Sequence, residues 1–166
     1  MRSFKTFLIG AVFLGLLVSP GEAGTARILK TLPHHLDQQG RHTVAPSLYE
    51  RDAYQAHLRK EPKLCSGLRF DVQWKAIQVD KNDLKLRVEV RSSKTPLDKP
   101  FMIEQAVQPK GWFTTWTGVT IDGDAFRNLG KIIAWRVTLW EGGRQLAEQR
   151  SFLWQDSPGG VTETKR

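Results

Sequence analysis

From Leu68 the chain alternates without a break. Leu68, Phe70, Val72, Trp74 and Ala76 stand on one parity, and Arg69, Asp71, Gln73 and Lys75 on the other. A period of two over this length predicts a half-buried β-strand. Ile77 and Val79 take the opposite parity, which a bulge at Ala76-Ile77 would explain. Asp80-Lys81-Asn82-Asp83 is turn chemistry. A second alternation follows, with Leu84, Leu86, Val88 and Val90 against Lys85, Arg87, Glu89 and Arg91. The two runs are expected to pair as an antiparallel hairpin.

The pattern weakens and then returns. Residues 92–100 form a loop with Pro96 and Pro100, residues 101–107 a strand ended by Pro109, and residues 111–121 a Trp- and Thr-rich strand. Residues 122–130 read as one or two helical turns, with Phe126 and Leu129 packing and Gly130 as the stop. Ile133, Trp135, Val137 and Leu139 then alternate inward, and Glu141-Gly142-Gly143 turns the chain. Residues 144–154 return. Glu148 and Arg150 break the apolar parity of Leu146, Phe152 and Trp154, which suits an edge strand guarded by charge.

Before Leu68 the period is helical. Ser47 and Glu50 form a Ser-x-x-Glu capping box at the start of a helix over 47–60, and Pro62 marks its end. Tyr49, Ala53 and Ala56 share one face, with Tyr54 and Leu58 beside it. Residues 24–46 open with a short candidate strand, Ala26-Arg27-Ile28-Leu29-Lys30, and continue as an irregular polar stretch. The expected organisation is an extended segment at 24–46, a helix at 47–62 packed on the fold, a β-sandwich at 66–154 and a disordered tail at 155–166. The fold class is mainly β: an antiparallel β-sandwich of about six or seven strands with one added N-terminal helix.

The run Trp135-Arg136-Val137-Thr138-Leu139-Trp140-Glu141-Gly142-Gly143-Arg144-Gln145-Leu146 resembles the closing hairpin of an immunoglobulin-like or fibronectin type III-like domain. The short helix before it resembles the connection such domains place before their penultimate strand, and the resemblance spans residues 66–154. The chain departs from it in having no cysteine pair, in carrying Trp135 where a tyrosine is common, and in the helix at 47–60. The resemblance implies a binding or spacing module.

Residues 1–23 add a compartment. Arg2 and Lys5 precede an apolar run at 7–18, and Gly21-Glu22-Ala23 supplies small residues at a cleavage site. This is the order of a secretory signal, and the run is short of the roughly 20 apolar residues that a membrane span needs. The exported protein is expected to begin near Gly24 and to be periplasmic or extracellular, with no transmembrane segment in its mature form. About 143 residues then remain, enough for one domain. Cys65 is the one cysteine, so no disulfide can form within the chain. The net charge of +8 is spread with both signs interspersed, the pattern of a solvated surface, and export disfavours nucleic acid as a partner.

Candidate chemistry is sparse. Gly-x-Ser-x-Gly and Ser-x-x-Lys are absent. Cys65 could be a nucleophile only with a histidine beside it, and a packed residue at a helix–strand junction is the plainer reading. Asp71, Glu89 and Asp122 could pair for glycoside chemistry, but any strand protein has such residues. His34, His35 and His42 share a segment with Asp37, types that suit zinc or copper, yet their spacing matches no established ligand pattern. Asp122-Gly123-Asp124 resembles the start of a calcium loop without the rest and is better read as a helix cap. No catalytic residue, metal site or cofactor is therefore expected. Six tryptophans remain, all after residue 73. Trp74 and Trp135 fall on inward parity. Trp112 and Trp116 share a strand face about 13 Å apart, and Trp140 falls outward. Trp112, Trp116 and Trp140 are the candidate binding residues, since exposed aromatic faces suit sugar rings or peptide side chains. The expected role is a non-catalytic binding or structural-interaction module of the cell envelope or extracellular space, partnered by a protein or an envelope glycan. The alternatives are a carbohydrate-binding module using exposed tryptophans and a hydrolase without a recognisable motif.

Overall fold

A computed structural model describes residues 24–96, 98–111 and 113–155. The expected signal at 1–23, Trp112, and all but the first residue of the expected tail lie outside the described residues. Seven strands are described: β1 (Thr25–Asp37), β2 (Cys65–Ile77), β3 (Leu84–Ser92), β4 (Phe101–Ala106), β5 (Thr115–Asp122), β6 (Ile132–Glu141) and β7 (Arg144–Arg150). Helix α1 (Leu48–Lys60) and a 3-10 turn (Pro62–Leu64) join β1 to β2, and helix α2 (Gly123–Leu129) joins β5 to β6. One sheet has the order β1-β2-β5 and the other β4-β3-β6-β7, with every neighbouring pair antiparallel. This three-plus-four sandwich is the mainly β, antiparallel class that the alternation predicts, with the immunoglobulin-like architecture that the resemblance implies.

Between the sheets the inward parities meet. Leu68, Phe70, Val72 and Trp74 of β2 face Leu86, Val88 and Val90 of β3 and Val137 and Leu139 of β6, all buried. Removing a side chain such as Phe70 from water is worth about 1.5–3 kcal/mol. The Trp74 indole N–H donates to Thr117 Oγ1 at 2.9 Å, so the largest core residue brings its polar atom a partner.

The structure corrects the sequence reading at several points. β2 and β3 are not a hairpin. They belong to different sheets and pack face to face, and the Asp80–Asp83 turn carries the chain across the sandwich. Two strands with strong apolar faces bury more by stacking those faces than by lying side by side. The bulge does not fall at Ala76-Ile77, which pair in step with Ala26 and Thr25. The register shifts on β1 instead, between Ile28 and Lys30, and leaves Leu29 exposed. Gln78 then leaves the strand at φ 56°.

β1 is also much longer than its apolar cue. It runs through the polar stretch to Asp37, so the sandwich begins at Thr25 and not at residue 66. Pro33 lies within it, which an edge strand tolerates because one side of its backbone has no neighbouring strand. Thr31 Oγ1 donates to Gln149 Oε1 at 2.7 Å, joining β1 to β7 across the open side of the sandwich. On β6, Ile133 is exposed and Trp135 is only half-buried, set edge-on to Phe70 with ring centroids 6.1 Å apart. The returning strand β7 ends at Arg150, after which Trp154 is buried again.

α1 packs on the sandwich through a face different from the expected one. Tyr49 and Ala53 are exposed, whereas Gln55 and Leu58 are buried. The Ser47 hydroxyl accepts the Glu50 N–H at 3.4 Å, the forward half of the capping box. Asp122 stands at the N-cap of α2, the position the sequence suggests, but its side chain makes no capping bond. Gly130 ends α2 at φ 72°, where a Cβ would lie 2.7 Å from Ser93 Oγ.

Candidate functional site

Of the candidate aromatic residues, Trp112 lies outside the described residues, and Trp116 and Trp140 stand on different sheets. Trp116 lies opposite Gln73 on the outer face of the three-stranded sheet and is 49% exposed. Trp140 lies opposite Lys85 on the outer face of the other sheet and is half-buried. The Arg87 guanidinium sits 4.4 Å from its ring centroid, and its indole N–H donates to Thr138 Oγ1 at 2.7 Å. One face of Trp140 is therefore already occupied by a cation–π contact. Phe113, which neighbours Trp116 in sequence, is 80% exposed.

The candidate carboxylates are also apart. Asp71 lies on the outer face of the first sheet, bonded to Arg69 at 2.9 Å. Glu89 lies on the outer face of the second, held by Arg136 in two bonds of 2.7 and 2.9 Å. Asp124 of the calcium-like motif pairs with Arg127 at 2.6 Å. Among the described residues no group of three or more His, Cys, Asp or Glu side chains could hold a metal ion.

The histidine segment does form a cluster. The His34 and His42 rings are 5.0 Å apart. Arg69 Nη2 lies 3.1 Å from His42 Nδ1, and His34 Nε2 lies 3.6 Å from Asp71. A guanidinium can only donate, so His42 Nδ1 accepts and is unprotonated. Burial pushes both imidazoles below their ordinary value; Arg69 acts in the same direction, and Asp71 opposes it. With Arg51 and Gln55 the pair borders a cavity of about 420 Å³ under α1. Asp37 does not join them. Burial alone would raise its pKa, but N–H bonds from Gln39 and Arg41, the Arg41 side chain and the Tyr54 hydroxyl outweigh that and hold it at about 2.

A larger cleft, about 1170 Å³, lies at the end of the sandwich where β2 starts and β5 finishes. Chain topology brings α1 and the 3-10 turn to one side and α2 with the start of β6 to the other. Leu58, Cys65, Phe126 and Ile132 supply apolar lining. Arg59 and Lys63 come from the first side, Arg127 and Lys131 from the second. Arg127 is paired with Asp124, but Arg59, Lys63 and Lys131 make no ion pair among the described residues. Such positions lie far apart in the sequence and carry no motif, so the alternation pattern had no signal for them.

Cys65 lines the same cleft with His35. Its thiol is buried, donates to the Leu58 carbonyl at 3.3 Å, and is pushed above its ordinary pKa by burial. That is the setting of an inert packed thiol, not of an activated nucleophile.

No protein family matches this chain, and no curated protein matches it. Among solved structures, the chain is similar to an immunoglobulin-like protein from Pseudomonas aeruginosa. The two are 14% identical, the match covers 75% of this chain and 93% of that one, and the TM-score is 0.32.

Proposed function

We propose that this chain is an exported, non-catalytic binding module whose ligand seats in the basic cleft between α1 and α2. The cleft carries the reading. It combines apolar lining with three cations that have no ion-pair partner among the described residues, at a volume suited to a bound segment or small ligand. The basic, then apolar, then small-residue order of residues 1–23 supports export, and no described helix is long and apolar enough to cross a membrane. The inert setting of Cys65 supports binding over catalysis.

The dye 8-anilinonaphthalene-1-sulfonate tests the cleft, because it is both apolar and anionic. It is expected to fluoresce with the native protein and to lose most of that signal with Lys63→Glu/Lys131→Glu, while far-UV circular dichroism stays unchanged. Equal signals from both proteins would remove the cleft as the site. A second reading, carbohydrate binding, rests on the exposed rings of Trp116 and Phe113, three residues apart in sequence. Quenching of tryptophan fluorescence by envelope glycans, lost in Trp116→Ala, would favour it.

A further inference from the structure

The chemistry of the cleft narrows its ligand; this step rests on the cleft being the binding site. Its free cations do not converge from one element. Arg59 comes from α1, Lys63 from the 3-10 turn, and Lys131 from beyond α2, on the other side. A compact single head group is suited to one such wall, whereas separated anionic groups on one ligand can meet both. Polar groups stand among the apolar residues of the lining. Phe126 and Ile132 are half-buried there, and Asp122 and Gln38 stand among the same lining residues.

Those two polar groups discriminate further. The Asp122 carboxylate makes no hydrogen bond or ion pair among the described residues. Gln38 donates its amide N–H to the Lys63 and Cys65 carbonyls, which leaves its oxygen as an acceptor. A ligand that covers these acceptors without offering donors would bury them unpaired, which is unfavourable. An acyl chain has no donor to give. A peptide backbone has one at nearly every residue. We infer that the cleft takes an acidic peptide segment of a protein partner: carboxylates meet Arg59, Lys63 and Lys131, one apolar anchor side chain rests on Phe126 and Ile132, and backbone N–H groups reach Asp122 and Gln38.

The test is selection of a phage-displayed random peptide library on the full exported chain, with binders resynthesised and measured by fluorescence anisotropy. The enriched peptides are expected to carry Asp or Glu near an apolar residue. Their affinity should fall at least about tenfold against Lys63→Glu/Lys131→Glu, fall with added salt, and fall again when the anchor is replaced by Ala. Both lysines are exposed, so this variant should keep its fold, checked by circular dichroism. Phosphatidylglycerol vesicles form the second arm and are expected not to compete. Peptides without acidic enrichment, peptides that bind the variant equally, or no enrichment at all would overturn the peptide ligand. If vesicles bind through the same lysines while peptides do not, the ligand class is wrong and the cleft stands. If the dye signal is also insensitive to the lysines, the cleft itself falls.

Discussion

Asp37 shows how much one side chain can organise. It is nearly fully buried at the end of β1, and its carboxylate receives two backbone N–H groups, the Arg41 side chain and the Tyr54 hydroxyl. Its carbonyl also accepts the Ser66 hydroxyl. The residue thus ties β1, the following turn, α1 and the start of β2 together. Its pKa of about 2 lies below the ordinary carboxylate value in an unfolded chain, about 3.9. A depressed pKa contributes stability that is fully present above about pH 4 and is lost as pH falls toward 2. Asp37→Asn should therefore lower the thermal midpoint at pH 7 and flatten its fall between pH 4 and 2, as followed by circular dichroism. A mutant curve parallel to the native one through that window would show that Asp37 is not the titrating group. In the sequence this residue was visible only as a companion of three histidines. Its partners come from three separate stretches, and no local pattern announces such convergence.

At the scale of elements, β1 raises the problem of an open edge, and α1 solves part of it. Gln55 of α1 accepts the His35 N–H at 2.8 Å and donates to the His35 carbonyl at 2.9 Å. Its amide bonds the edge backbone as a neighbouring strand would, and it also donates to the His42 carbonyl at 2.7 Å. A strand edge left bare invites pairing with another chain. Gln55→Leu is expected to cost about 1–3 kcal/mol, since part-buried backbone groups lose their partners while volume is roughly kept. Urea denaturation measures it, and light scattering should show more self-association than the native protein. A loss under about 0.5 kcal/mol would mean that water replaces the amide without penalty. The helix itself was legible from its cap and from Pro62. Its buried face was not, because a glutamine at the contact carries no hydrophobic signal.

For the whole molecule, the consequence is that residues 24–62 are structural. β1 forms one edge of the three-stranded sheet, packs Ala26 and Ile28 against the core, and meets β7 through Thr31 and Gln149. A chain lacking residues 24–62 is expected not to fold, giving a random-coil circular dichroism spectrum or aggregation. A cooperative transition at the native midpoint would instead make β1 and α1 an appendage. The same closure of distant segments builds the basic cleft, whose walls are far apart in sequence, Lys63 on one and Lys131 on the other.

The sequence by itself determined the class of fold. Strict alternation in β2, β3 and β6 dictates half-buried strands, and turn residues at Asp80–Asp83 and Glu141–Gly143 separate them, because these signals act within a few residues. The tertiary structure alone decided which strands pair and which stack, how far β1 extends, and where the tryptophans face. The inner faces of β2 and β3 look equally suited to a hairpin and to a sandwich until the other strands are present. Trp116 and Trp140 share outward parity, but parity does not say which sheet a strand joins, and the two ended on opposite faces. The cleft likewise exists only once α1 and α2 meet the same end of the sandwich, since burial and charge are properties of surfaces brought together and not of positions along a chain.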